Sequence, residues 1–252
     1  MSAGPLAGRR VLVTRPRERA GALAARIRAA GGEAIVYPAI EIGAPADAAA
    51  LARVLERLEH YDLAIFVSPT AVERGLAAVR AVRRWPPGLR AAAIGPGTRA
   101  ALQAAGFSDA IAPRDGADSE ALLAHPELAA VAGLRVVVFR GEGGREALAE
   151  GLAARGAQVA YAQCYRRLPA RDAAGLGAAL ARADAIVISS AEGLANLLAL
   201  APDAGPLRRR PVVVPHARIA ERARAAGCTT VLVAGPGEAA IVAALVAYFG
   251  AP

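Results

Sequence analysis

The feature that most constrains this chain is a unit that occurs four times. A short, solidly apolar run is followed by a turn of small residues, an alanine-rich helical stretch, a glycine and another apolar run. The unit spans residues 11–36, 91–112, 136–160 and 212–233. A run that is apolar at every position fits a strand buried on both faces, the kind that parallel sheets contain. Strict alternation of such strands with helices calls for an α/β architecture with helices on both faces of parallel sheets. The plainest copy is RVVVFRGEGGR, residues 135–145. Its valines and Phe139 form the strand, and Arg140 ends the apolar run. Gly141, Gly143 and Gly144 permit a tight turn, and Arg145 is expected to open the next helix. A helix N-terminus beyond such a turn presents unpaired N–H groups and a partial positive charge, which suits an anion. The spacing is neither GxGxxG nor a Walker loop, so nucleotide binding has little support.

Counting strands gives the architecture. Residues 63–161 hold five, at 63–67, 90–94, 110–112, 136–139 and from 158, enough for a complete sheet. The first 37 residues hold two, too few to bury their own helix, and the region after Leu168 holds three. The expected fold is therefore two doubly wound parallel-sheet α/β domains of five strands each, the second inserted into the first. An outer domain would comprise 1–37 and 169–252, and an inserted domain 44–158. The stretches PAIEIG (38–43) and 159–168 have mixed polarity and read as crossing strands, a two-strand antiparallel linker. A bilobal protein with a double hinge follows.

Composition narrows the chemistry. All thirty basic residues are arginine, so Schiff-base lysines, pyridoxal phosphate lysines and the Walker lysine are excluded together. Such enrichment accompanies GC-rich coding, yet a net charge of +8 still favours an acidic partner. Aromatic residues are only 4% and do not interleave with basic runs, so a small polyanion fits better than nucleic acid. Cys164 and Cys228 form no CxxC, and His60, His125 and His216 lie far apart, so no metal spacing exists. The two cysteines read as buried thiols. No apolar run approaches the roughly 20 residues of a bilayer span. The opening MSAGPLAGRR lacks the apolar core of a signal peptide. A cytoplasmic, monomeric protein that engages no membrane is expected.

Ligands of open α/β sheets bind beyond the carboxyl ends of the strands. Those ends carry Thr14, Arg15 and Pro16; Ser68, Pro69 and Thr70; Gly95, Gly97 and Thr98; Arg140 and Gly141; and Ser189 and Ser190. Each is a helix N-terminus bearing a hydroxyl, a glycine or an arginine. A single turn of this kind is a routine helix cap. Five of them aimed across a cleft between two lobes would suit a large ligand with several carboxylates. His216 either caps a helix or touches that ligand. No nucleophile elbow, paired carboxylates or cysteine–histidine arrangement is present. Tyr161 and Tyr165 both lie on the crossing segment, where a phenol can donate a proton; Tyr161 reads as packing, and for Tyr165 packing and proton donation stand equal.

In order and spacing, these motifs resemble the uroporphyrinogen-III synthase family. The likeness rests on VLVTRP (11–16), FVSPTAV (66–72), AIGPGTRAAL (93–102), VVVFRGEGGREAL (136–148), RGAQVAYAQCYRR (155–167) and IVISSAEG (186–193). It implies two α/β lobes on a two-strand ladder. It also implies cyclisation of the linear tetrapyrrole hydroxymethylbilane with inversion of ring D and loss of water, without metal or organic cofactor. That substrate carries eight carboxylates, in keeping with the arginine excess. The resemblance places the family's functional tyrosine on Tyr165 and its turn threonine on Thr98, the two catalytic candidates, and a strand-end serine on Ser190. Some members carry a threonine-containing turn where this chain has Pro215, His216, Ala217 and Arg218, and His216 is then a stand-in. It leaves room for a transient contact with the enzyme that produces hydroxymethylbilane. The rival readings are a non-catalytic bilobal binding protein for a polycarboxylate and a sugar-nucleotide transferase.

Overall fold

The structure is a computed structural model that describes residues 4–144 and 146–250. Arg145, expected to open a helix, lies outside the described residues. The chain forms two compact units, one of Met1–Ile42 with Leu168–Pro252 and one of Gly43–Arg167.

In chain order, β1 (Arg10–Val13) leads through α1 (Arg17–Ala29) to β2 (Glu33–Val36), with Gly31 at φ 88° stopping the helix. Next come β3 (Ile40–Gly43), α2 (Ala48–Glu56), β4 (Leu63–Phe66), α3 (Pro69–Val82), β5 (Arg90–Ala93), α4 (Pro96–Ala104) and α5 (Ser119–Leu123). The glycine turn lies between β6 (Arg135–Gly141) and α6 (Ala147–Ala154), and β7 runs unbroken over Gln158–Pro169. The chain closes with α7 (Ala173–Arg182), β8 (Ala185–Val187), α8 (Ala191–Leu200), α9 (Gly205–Arg209), β9 (Val212–Val214), α10 (Ala217–Ala225), β10 (Val231–Val233) and α11 (Glu238–Gly250). Helix starts follow short polar side chains: the carboxylates of Asp47, Asp118 and Asp172 accept from Ala50, Ala121 and Gly175 N–H at 2.7–2.8 Å.

The first unit is a five-stranded sheet of order β10-β9-β8-β1-β2, with every pair parallel. Its solid apolar strands are explained by two cores, one on each face. Leu12, Ile186, Val212 and Val214 pack with α7, α8 and α10 on one side; Val11, Val13, Val187 and Val213 pack with α1 and α11 on the other. Each fully buried Val, Leu or Ile contributes about 1.5–3 kcal/mol.

The second sheet has the order β3-β7-β6-β4-β5, and its β7–β6, β6–β4 and β4–β5 pairs are parallel. Leu63, Ile65, Val136 and Val138 face α5 and α6. On the opposite face Phe66 and Phe139 stack at 4.6 Å. Gly75 lets α3 approach them, because a Cβ there would lie 2.6 Å from Phe139.

One expectation needs correction. Residues 110–112 were counted as the fifth strand of this sheet, yet Ile111 makes only an isolated bridge to Ala92. Pro113, with no N–H and a clashing ring, stops the ladder there, and the fifth place belongs to β3. The crossing stretches expected at 38–43 and 159–168 carry β3 and β7, neighbours in the sheet, and the chain passes from one unit to the other within these two strands.

Candidate active site

In a parallel sheet the crevice opens where successive connections leave in opposite directions. In the second unit that point lies between β4 and β6, which neighbour each other while their following strands, β5 and β7, lie to either side. Tyr165 reaches this point by an irregularity in β7. Arg140 pairs with Gln163, but Gly141 pairs with Tyr165, so Cys164 is an extra residue in the ladder. A bulge re-aims the side chain that follows it, and here Cys164 and Tyr165 are both buried despite being adjacent.

The Tyr165 ring lies against Gly141, where a Cβ would stand 2.7 Å from Cε2 and 3.2 Å from the phenolic oxygen. The phenol is 3.2 Å from Ser68 Oγ, with either able to donate. Ser68 is the N-cap of α3: its Oγ accepts from Ala71 N–H at 2.9 Å, which leaves its own hydrogen free to donate. Tyr165 is 6% exposed. Pro69 and Thr70, in the first turn of α3, are half-buried, and Pro69 Cγ would lie 3.8 Å from a Cβ on Gly97. Gly95 caps α4 against Ala117, where a side chain would clash at 2.7 Å. Thr98, in the first turn of α4, is 3% exposed and its N–H donates to Gly95 O at 3.1 Å.

Arg140 is not open to the surroundings. Its side chain is 6% exposed, with Nη1 3.1 Å from Glu146 Oε1, Nη2 donating to Gly143 O and the guanidinium 4.7 Å from the Tyr161 ring centroid. Tyr161 donates its hydroxyl to Glu146. That bond and the nearby Arg140 charge hold the Glu146 carboxyl below its ordinary range. Desolvation, reinforced by Glu146, pushes the Tyr161 phenol up. These groups latch the glycine turn, with Gly143 and Gly144 at φ 69° and 102°. Cys164 Sγ donates to Arg140 O at 3.3 Å, and burial pushes its thiol up to about 12.

In the first unit the reversal lies between β1 and β8. Thr14 ties the two strand ends together, its Oγ donating to Val187 O at 2.7 Å. Arg15 Nε donates to Ser189 Oγ at 3.1 Å, and its Nη1 lies 2.5 Å from Glu238 Oε1. The N-cap of α1 is Pro16, whose carbonyl accepts from Arg19 N–H. Ser190 caps α8 by accepting from Gly193 N–H at 3.0 Å. His216 is the exposed N-cap residue of α10 but makes no side-chain capping bond. Of the two roles left open for it, capping is thereby removed.

The structure thus brings Ser68, Pro69, Gly97, Gly141 and Tyr165 together in one unit, and Thr14, Arg15, Ser189 and Ser190 in the other. Glu146 and Glu238, the carboxylates that meet the two strand-end arginines, escaped the sequence reading. The available signal was a glutamate at the start of a helix behind a glycine turn, where the helix dipole favours it. Among the described residues no group of three or more His, Cys, Asp or Glu side chains is placed to hold a metal ion. No helix of the described residues is long and apolar enough to cross a membrane.

Known proteins share the sequence pattern and the fold. The family model described as uroporphyrinogen-III synthase HemD matches residues 21–243. The uroporphyrinogen-III synthase of Salmonella typhimurium is 38% identical over 233 residues, covering 89% of this chain and 94% of the relative. Crystal structures of a mutant Thermus thermophilus uroporphyrinogen III synthase and of the Helicobacter pylori enzyme share the fold. The first superposes with TM-score 0.60 at 20% identity over 94% of this chain and 97% of that one. The second gives 0.62 at 12% identity over 95% and 99%. A match of this extent, over a chain whose strand-end turns sit at two sheet reversals, places the protein in the uroporphyrinogen-III synthase family.

Proposed function

We propose that the protein closes hydroxymethylbilane to uroporphyrinogen III, inverting ring D and releasing water. The observation that carries the residue-level reading is the seat of Tyr165, a phenol held between Gly141 and Ser68 Oγ at a strand reversal. The substrate's hydroxyl departs more readily as water than as hydroxide, so a positioned O–H donor lowers that barrier. Tyr165 is the donor in this scheme, with Ser68 as the hydroxyl that orients it and passes protons to and from it. Rearomatisation of the pyrrole after rearrangement releases one proton, which restores the phenol. The remaining task is to hold a flexible chain in the geometry that closes on the inverted ring, an entropic contribution.

Carboxylates of the substrate are assigned to the residues of the strand-end turns. These are Arg15, Ser189, Ser190, Thr14, Pro16 and His216 in the first unit, and Ser68, Pro69, Thr70, Gly95, Gly97, Arg140 and Gly141 in the second. Arg140 acts by holding its turn rather than by reaching out, because its guanidinium is already bonded. Thr98 is assigned to the first turn of α4, where its burial fixes the backbone beside Gly97. Location in the cytoplasm and a transient contact with the enzyme that supplies hydroxymethylbilane belong to the same proposal. The second is supported by the substrate's own chemistry, since free hydroxymethylbilane closes unaided to isomer I. Cross-linking the two enzymes with and without substrate turnover tests that contact.

The decisive assay generates hydroxymethylbilane in situ, adds the protein, oxidises the products and separates the uroporphyrin isomers. Protein-dependent isomer III is expected; isomer I alone from folded protein would overturn the reading. Tyr165→Phe should lower turnover by roughly a hundredfold, the low end of general acid catalysis, with a much smaller change in KM. Unchanged turnover would remove the role given to Tyr165.

A further inference from the structure

The two strand-end arginines are enclosed differently. Arg140 is sealed by a backbone carbonyl, a carboxylate and an aromatic face, with 6% of its side chain exposed. Arg15 is held by one hydroxyl, Ser189 Oγ, and one carboxylate, Glu238. Its side chain is 16% exposed and that of Glu238 34%. The three residues come from the end of β1, from the residues after β8 and from the first turn of α11. They meet beside the reversal point of the sheet. Gly235 and Gly237, at φ 88° and 90°, turn the chain so that α11 begins over the guanidinium.

This corner is made to hold an ionised carboxylate. Bonding to Arg15 comes first among the causes that keep the Glu238 carboxyl below its ordinary range. Its own backbone N–H and the charge of Arg26, from α1, act in the same direction. A guanidinium fork beside a helix N-terminus takes a carboxylate from any source. The internal one is the more exposed partner and hangs on a long side chain at the start of a helix, so it can swing into water without moving the backbone. Exchange is easy, because an ion pair this close to solvent shifts an equilibrium by only about two- to fivefold.

We propose that Arg15, Ser189 and the first turn of α11 form a carboxylate subsite, that Glu238 fills it in the free protein, and that an acid group of the substrate displaces Glu238 on binding. The proposal rests on the polycarboxylate substrate argued above. It makes Glu238 a competitor built into the chain, and Arg15 the exchangeable member of the two strand-end arginines.

The test is calorimetric titration of the full chain with benzenehexacarboxylate, a polycarboxylate that needs no turnover, at low ionic strength where screening is weak. Glu238→Gln keeps the shape but gives up the charge, and it should bind the probe about two- to fivefold more tightly than the unaltered chain. Arg15→Gln should bind more weakly, and in that background Glu238→Gln should give no further gain. Glu238→Asp, one methylene shorter and unable to reach Arg15 as closely, is the second variant and should also bind more tightly. If both Glu238 variants bind the probe as the unaltered chain does, or more weakly, the pair is a structural tie and the subsite is refuted. The isomer assay on the unaltered chain runs beside it: isomer I alone there would overturn the synthase reading, while the titration still decides the subsite.

Discussion

Replacing Gly141 by alanine adds one methyl group at the point where Tyr165 is held. The new Cβ would stand 2.7 Å from Tyr165 Cε2 and 2.8 Å from Cζ, whereas ordinary contact begins at 3.4 Å. The ring must therefore recede by the difference, 3.4 − 2.7 = 0.7 Å. It has little room, being 6% exposed with its hydroxyl already 3.2 Å from Ser68 Oγ. A displacement of that size directed away from Ser68 would take the phenol–serine distance to 3.2 + 0.7 = 3.9 Å, past the limit of a hydrogen bond, and one directed toward it would overpack the pair. Overpacking costs about 1–3 kcal/mol and a lost neutral hydrogen bond about 1 kcal/mol. A loss of about 2–3 kcal/mol is expected, seen as a fall in thermal midpoint of roughly 5–10 °C. Synthesis of isomer III should drop as it does in Tyr165→Phe. Urea unfolding of Gly141→Ala in the unaltered and Tyr165→Val backgrounds isolates the cause, since the smaller side chain leaves space for the methyl. Equal destabilisation in both backgrounds would show that the clash is not with this ring.

The other consequences can be measured directly. The thiol of Cys164 is pushed up to about 12 by burial, and Cys228 is also raised by burial. Neither should be alkylated by iodoacetamide at pH 8 while the chain is folded, and both should react in denaturant; rapid modification of Cys164 in the folded protein would contradict its placement. Glu238 is depressed in the folded state, so its pair with Arg15 stabilises the fold above the ordinary glutamate value of 4.5. That contribution is lost as pH falls through the lower folded value. The gap in thermal midpoint between the unaltered chain and Glu238→Gln should thus narrow from pH 7 to pH 3, and a widening gap would show that the pair is not ionic.

How much of this could be read beforehand depended on the range of the interaction. Valines and leucines in solid runs announced strands buried on both faces, and the two cores on either side of Val11, Leu12 and Val13 are the reason. Serines and aspartates before helices announced caps, because capping spans three residues. The bulge at Cys164 left no trace in composition: it is a property of pairing between β6 and β7, and alternation in β7 alone cannot reveal which residue is extra. The stretch at 110–112 looked like a strand because it is apolar, but Pro113 ends it after one bridge. PAIEIG alternates because β3 is an edge strand beside β7, at the point where the chain passes from one unit to the other. The Arg15–Glu238 pair spans 223 positions, beyond any local pattern.

The first sheet is stitched from the two ends of the chain. Val11 pairs with Ala185, and Arg10 N–H donates to Asp184 across 174 positions. During synthesis β1 and β2 have no other strand to lie beside until β8 has been made. The wait from Val36 to Val187 is 187 − 36 = 151 residues, or roughly 10–30 s at ribosomal rates of about 5–20 residues per second. The other sheet draws all its strands from β3 to β7 and can be complete by then. The helix that covers Val11 and Val13 from one side, α11, is made later still. Removing α11 therefore uncovers β1 as well as deleting a helix, and nascent chains have most need of a holding chaperone at β1 and β2.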